Sequence, residues 1–221
     1  MVVKLDFGVI WHNLPILFDG MQLSLVLTAL ALSGGVLLGA VLAVLRLSPL
    51  PPVAWFAAGY VNAFRSIPLI LVLFWFYFLV PLVIGRPVGP FYAALIAFVL
   101  FEAAYYCEII RAGIQGIPRG QSAAAMATGM TQAQVMRHVV LPQAFRNMTP
   151  VMLTQAIILF QDTSLVYVVT LYDFMTSAAI VAQRDLAIVE VYIFAACVYF
   201  CLCFGASRLV GWFKSRLEVA R

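Results

Sequence analysis

A chain of 221 residues that is 65% hydrophobic and only 10% charged, with a mean hydropathy of +1.05, cannot cover its own surface as a soluble domain. Soluble domains carry about 45–50% apolar and about 25% charged residues. The formal charge of +4 needs no nucleic-acid partner, because the basic residues segregate by loop in the way a membrane topology requires.

Residues 1–19 carry Lys4, Asp6, Asp19 and Pro15, and lack the basic-then-apolar order of a cleaved signal peptide. Val9, Ile10, Leu14, Leu17 and Phe18 are spaced to lie along one face of an interfacial helix. A spanning helix needs about 20 apolar residues. Residues 20–45 supply the first, closed by Arg46, Pro49, Pro51 and Pro52. Residues 53–83 form a second apolar stretch, interrupted by Asn62, Arg65, Ser66 and Pro68. As one helix it would reach ~46 Å, longer than a bilayer core, so part of it must lie at the interface, tilt or kink, with Pro68 as the expected kink.

A turn at residues 85–90 leads to a third span, 91–110, that holds Glu102 and Glu108. The chain is polar from Arg111 to Arg146. Two further spans follow at 148–171, with an expected kink at Pro150, and at 191–207. The expected fold is an all-α polytopic membrane bundle of about five transmembrane helices over residues 20–213, with a tail at 214–221. Five spans put the termini on opposite sides. With the N-terminus outside, Arg46, Arg111, Arg119, Arg137, Arg146, Arg208, Lys214, Arg216 and Arg221 face inward, and Lys4, Arg86 and Arg184 face outward. This bias sets an N-out, C-in orientation.

Cys107, Cys197, Cys201 and Cys203 lie in apolar runs and read as small hydrophobes, remote in sequence from His12 and His138, so no metal is expected. The sequence has no Walker A loop, Gly-Xaa-Ser-Xaa-Gly or His-Glu-Xaa-Xaa-His. A membrane-embedded hydrolase or acyltransferase would need a nucleophile and a base in reach, and neither histidine lies in a span. A passive channel or ion-coupled transporter stays open, with Arg65, Glu102 and Asp162 as relay or gating groups.

Those three charges fall at comparable depths in their spans, where ionisable groups usually face a bundle interior. Arg65 is suited to bidentate recognition of a substrate carboxylate. The alternative is an internal bridge to Glu102 or Asp162. Asn62, Ser66, Thr163 and Ser164 add neutral donors, although such hydroxyls often bond backbone carbonyls instead. Glu108 and Arg111, spaced i,i+3, are expected to pair at the inner membrane edge.

The loop at 115–142 is long, basic, free of acidic residues and helix-forming. Ala123, Ala124, Ala125 and Ala127 build a first helix, and Gly129 sits where a left-handed cap would stop it. Thr131 and Gln134 have capping-box spacing for a second helix, which Pro142 is expected to close. Small side chains on such a surface let a partner approach closely, whereas the plain alternative is a connecting loop.

Residues 120–142 resemble the cytoplasmic coupling loop of ABC importer permeases: Ala124 and Ala125 match its two alanines, Gly129 its glycine and Leu141-Pro142 its closing dipeptide, while Ala123 stands where the family has glutamate. Phe64 to Leu69, Glu108 to Ile114, Leu141 to Ala144 and Asp162 to Leu165 are similar, in order, to motifs of the polar-amino-acid permeases. Phe101 to Tyr106 and Phe160 to Tyr167 look most like the glutamate/aspartate branch, and Gln161 replaces a lysine common elsewhere in the family.

The resemblance implies a type I importer architecture in a bacterial inner membrane, N-terminus periplasmic and C-terminus cytoplasmic. It implies a non-catalytic subunit without a cofactor of its own, ATP being bound by partners. Those partners would be a second permease subunit, as a heterodimer, two ATP-binding subunits and a periplasmic substrate-binding protein. The pathway residues expected are Asn62, Arg65, Ser66, Glu102, Gln161, Asp162, Thr163 and Ser164. The ATPase-coupling residues expected are Gly120, Ala123, Ala124, Ala125, Gly129, Leu141 and Pro142. The implied cargo is glutamate or aspartate, with another polar amino acid as the alternative.

Overall fold

The computed structural model describes residues 5–219, with side chains to Arg216. Lys4 and Arg221, used above for orientation, lie outside the described residues, as do the first four residues of the N-terminal segment and the last two of the tail. Every regular element described is helical: α1 Gly8–His12, α2 Leu14–Arg46, α3 Pro51–Arg65, α4 Leu69–Phe74, α5 Val80–Ile84, α6 Pro90–Gln115, α7 Arg119–Ala127, α8 Gln132–Val135, α9 Leu141–Asp162, α10 Phe174–Arg184 and α11 Ile188–Val219. Leu14–Arg46, Pro90–Gln115, Gln132–Val169 and Ile188–Arg216 are long and apolar enough to cross a membrane. The bent pair α3 with Leu69–Ile84 makes a fifth if it is one span.

Four expectations are corrected. The N-terminal segment is not one interfacial helix: α1 ends at His12, and residues from Leu14 belong to α2. Pro15 is the second residue of α2, where its missing N–H removes no intrahelical bond. Ile10 and Leu17 are buried, while Phe18 is exposed, so the proposed apolar face is divided. Pro68 does more than kink the second stretch: α3 ends at Arg65 and Pro68 caps α4 with extended backbone. Pro142 does not close the second loop helix. A π-helical turn at Met136–Val140 carries α8 into α9, and a matching π turn at Trp75–Leu79 precedes Pro81. In both cases the residue just before the proline donates five residues back, Leu141 to Met136 and Val80 to Trp75. The wider turn makes room for a ring that would otherwise clash with the preceding turn. Finally, the fourth span ends as α-helix at Asp162 and continues as a 3-10 helix to Val169.

The chain divides into two compact units. The first comprises residues up to Ser33, Pro68–Val99 and Ala156–Arg208. Its core joins Ile10 and Leu17 to Phe174, Ala178, Val181, Ala182, Val191 and Ala195. Helix α10, too short to span and missed in the sequence, is organised by buried Asp173, whose carboxylate accepts from the backbone N–H groups of Met175 and Thr176. Ser24 Oγ accepts from the Phe174 N–H at 3.1 Å, fixing α2 against the start of α10. Asn13 Nδ2 donates to Asp185 at 2.7 Å. The hydrogen bond from Arg184 holds the Asp185 carboxyl below its usual range.

The second unit comprises Gly34–Ile67, Leu100–Gln155 and residues from Leu209 on. Its core packs Leu42, Ala43 and Val61 with Ala103, Ala104 and Cys107. Helices α2 and α6 meet through a Gly-Xaa-Xaa-Xaa-Gly step. A Cβ on Gly35 would lie 2.8 Å from Glu102 Cβ, and one on Gly39 would lie 2.7 Å from Tyr106 Cβ. Small residues at that spacing let helix backbones approach closely in lipid. Replacing Gly39 with Leu is therefore expected to destabilise the protein by about 1–3 kcal/mol through overpacking. Thermal unfolding of the purified protein measures this, with Gly59→Ala, where a Cβ meets nothing within 4 Å, expected to behave as wild type.

Candidate functional site

The first candidate region is the segment at 115–142 in the second unit. Its cap forms as the sequence predicts: Gly129 has φ 88°, Gly129 N–H donates to Met126 O at 3.0 Å, and Met130 N–H donates to Ala125 O at 3.4 Å. This pair of bonds is the Schellman motif. Thr131 then starts α8 with both capping-box bonds, its N–H to Gln134 Oε1 at 2.8 Å and Gln134 N–H to Thr131 Oγ1 at 3.4 Å.

The two faces of this segment differ. Ala125 packs inward with Ile117, Val135, Val140 and Ala144. Ala123, Ala124, Ala127, Gly120 and Pro142 are exposed, and Leu141 is half-buried. Met126, Met130 and Met136 are exposed beside them. The sequence reading passed over these methionines, although unbranched thioethers are well suited to an adaptable contact surface. Ala123 presents a methyl group where a carboxylate would be needed for an ion pair.

A charged cluster lies N-terminal to this segment. Glu108 bridges Arg46 and Arg111, and Arg111 also bonds Gln115. The i,i+3 pairing was legible; the arrival of Arg46 from α2 was not. Glu108→Gln is expected to lower the unfolding temperature more than Gln115→Ala. It removes the carboxylate that two guanidinium groups share, and one hydrogen bond to a charged group contributes about 1.5–3 kcal/mol, less where solvent reaches it.

The second candidate region is the set of polar residues inside the spans. Asn62, Arg65 and Ser66 sit at the end of α3, where the helix stops and frees its last carbonyls. Ser66 Oγ donates to Asn62 O at 2.7 Å and so serves that helix end. Arg65 is exposed, and its guanidinium lies over the Tyr105 ring, 5.5 Å from the centroid. Ion pairs join Glu108 to Arg46 and Arg111, and Arg184 to Asp185. Glu102 is fully buried and accepts from Gln155 Nε2 at 3.2 and 3.3 Å. The structure thus gives Glu102 a partner in Gln155 and Arg65 one in Tyr105, where the sequence left a bridge between the two open.

Gln161, Asp162, Thr163 and Ser164 lie in the first unit, at the change from α9 to the 3-10 helix. Gln161 is exposed and Asp162 half-buried. Buried Thr163 donates its hydroxyl to Phe160 O at 2.7 Å, a structural use. Both polar sets therefore fall where regular α-helix ends inside an apolar stretch. Irregular backbone at membrane depth is tolerated where it is buried in protein or lines a cavity.

The family model of the binding-protein-dependent transport system inner membrane component matches residues 35–219. The chain is 51% identical to the glutamate/aspartate import permease protein GltK of Escherichia coli O157:H7, over 96% of this chain and 98% of that one. It is 35% identical to the probable glutamine ABC transporter permease protein GlnM of Bacillus subtilis, over 97% and 99%. Among solved structures, the crystal structure of an amino acid ABC transporter with histidines superposes with a TM-score of 0.92 at 32% identity, covering 97% of this chain and all of that one. The MetNI methionine ABC transporter shares the fold, with a TM-score of 0.70 at 21% identity over 90% and 96%.

Proposed function

We propose, from the premise that this chain belongs to the family of binding-protein-dependent transport system inner membrane components, that it forms the translocation pathway of an ATP-driven importer for glutamate and aspartate. Membership makes it an inner-membrane permease that works with an ATPase and a substrate-binding protein. The finer assignments are ours: a non-catalytic subunit, paired with a second and different permease chain and two ATP-binding subunits, N-terminus periplasmic and C-terminus cytoplasmic.

The observation that carries the substrate assignment is Arg65. A guanidinium at a helix break, exposed and stacked on Tyr105, keeps its planar fork for a bidentate carboxylate. The high identity to glutamate/aspartate import permeases supports the same class of cargo. Asn62, exposed three residues before Arg65 on α3, supplies a neutral polar contact, while Glu102 is held by Gln155 as part of the wall.

Coupling follows from helix continuity. The ATPase docks on the exposed alanines and methionines of α7 and α8. Because the π turn makes α8 continuous with α9, a displacement of the docked segment moves α9 as a lever and alternates access to the pathway. Competition uptake tests the substrate class: unlabelled aspartate should displace labelled glutamate, and glutamine or histidine should not. Equal displacement by aspartate, glutamine and histidine would set the acidic assignment aside.

A further inference from the structure

We infer that the C-terminal end of α11 is a binding site for anionic phospholipid headgroups. Helix α11 runs for 32 residues, Ile188–Val219, or ~48 Å, against a hydrocarbon core of ~30 Å. About a dozen residues must therefore stand beyond the acyl chains. Every side chain from Gly211 to Arg216 is exposed.

The exposed turns carry a particular ladder at four-residue spacing. Phe200 and Phe204 stack with centroids 5.3 Å apart. The Arg208 guanidinium lies 6.0 Å from the Phe204 ring and that of Arg216 5.2 Å from the Trp212 ring. Trp212 is 53% exposed, at the boundary where indoles settle between acyl chains and headgroups. Each guanidinium is thus exposed and lies over a ring, and its planar fork is suited to bind a phosphate in bidentate fashion.

Charge selects the occupant. From Val191 to the last residue the sequence holds Arg208, Lys214, Arg216 and Arg221 against one acidic residue, Glu218. A zwitterionic headgroup brings its own cation into this field, whereas an anionic phosphodiester does not. Basic residues near an anionic bilayer surface each strengthen binding about fivefold.

The test uses the assembled transporter in nanodiscs, following quenching of tryptophan fluorescence by brominated phosphatidylglycerol or brominated phosphatidylcholine. The Trp212 contribution is taken as the difference from the Trp212→Phe variant. Wild type should be quenched at lower mole fraction by phosphatidylglycerol, and soluble glycerol phosphate should not compete. The double variant Arg208→Gln, Arg216→Gln should lose that preference on the order of tenfold or more, while Arg208→Lys with Arg216→Lys keeps most of it. Equal quenching of wild type by the two lipids would overturn the assignment, and so would an unchanged preference in the glutamine variant. If the glutamine variant instead fails to retain the ATPase in phosphatidylcholine nanodiscs while its lipid preference persists, this end of α11 is a protein interface and the inference fails.

Discussion

Uptake should collapse in Gly129→Val while the membrane spans stay folded. Gly129 has φ 88°, and its N–H and that of Met130 satisfy the last carbonyls of α7. A β-branched residue is strained there by about 1–3 kcal/mol, although a side chain would meet no neighbour within 4 Å. The strain is therefore conformational rather than steric, and it is relieved by reorienting α7 against α8. Ala123, Ala124 and Met126 then leave their positions relative to Thr131 and the capping box. Transport should fall on the order of tenfold or more, while circular dichroism and the unfolding temperature of the spans change little. Basal ATP hydrolysis should either uncouple from uptake or vanish with lost assembly. Gly129→Asn, which tolerates the left-handed region, should retain much of the activity. Wild-type coupling in Gly129→Val would remove the coupling role of the segment.

Arg65→Ala should assemble normally and fail to transport. An internal bridge would predict the opposite order of damage, because removing one member of a buried pair strands the other. Glu102, however, accepts from Gln155, and Arg65 lies over Tyr105, so each has a partner apart from such a bridge. Arg65→Lys keeps the charge and loses the fork, and should raise the KM for glutamate by at least tenfold. Neutralising Glu102 or Asp162 in the Arg65→Ala background should restore nothing. Gln155→Leu, in contrast, leaves the buried Glu102 carboxylate short of a donor and should lower assembly and stability. If Arg65→Ala fails to assemble and the second neutralisation rescues it, Arg65 is a structural bridge. Normal uptake by Arg65→Ala would leave the intramembrane charges without the role given to them.

Much of this was legible because bilayer thickness turns run length into span count, and because caps are local chemistry. Gly129 and the Thr131–Gln134 box each need only neighbours within a few residues. The misreadings share a cause as well. Pro142 looks like a terminator to any local rule, yet a π turn just before it makes room for the ring, as another does before Pro81. Helix α10 is short and of mixed polarity, so it has no span signal, although Asp173 was available as a cap. The contact of Gly35 and Gly39 with α6 was available as a Gly-Xaa-Xaa-Xaa-Gly pattern and went unused. Pairings such as Gln155 with Glu102 or Arg46 with Glu108 join residues 53 and 62 apart, and only the packing decides them.

Cargo and energy source together test the importer assignment most directly. The permease, reconstituted with its ATPase, partner permease and binding protein in proteoliposomes, should accumulate labelled glutamate only when ATP is available to the ATPase, and the Arg65→Lys complex should not do so at the same glutamate concentration. Accumulation that proceeds with ADP, or that follows an imposed ion gradient instead, would contradict it.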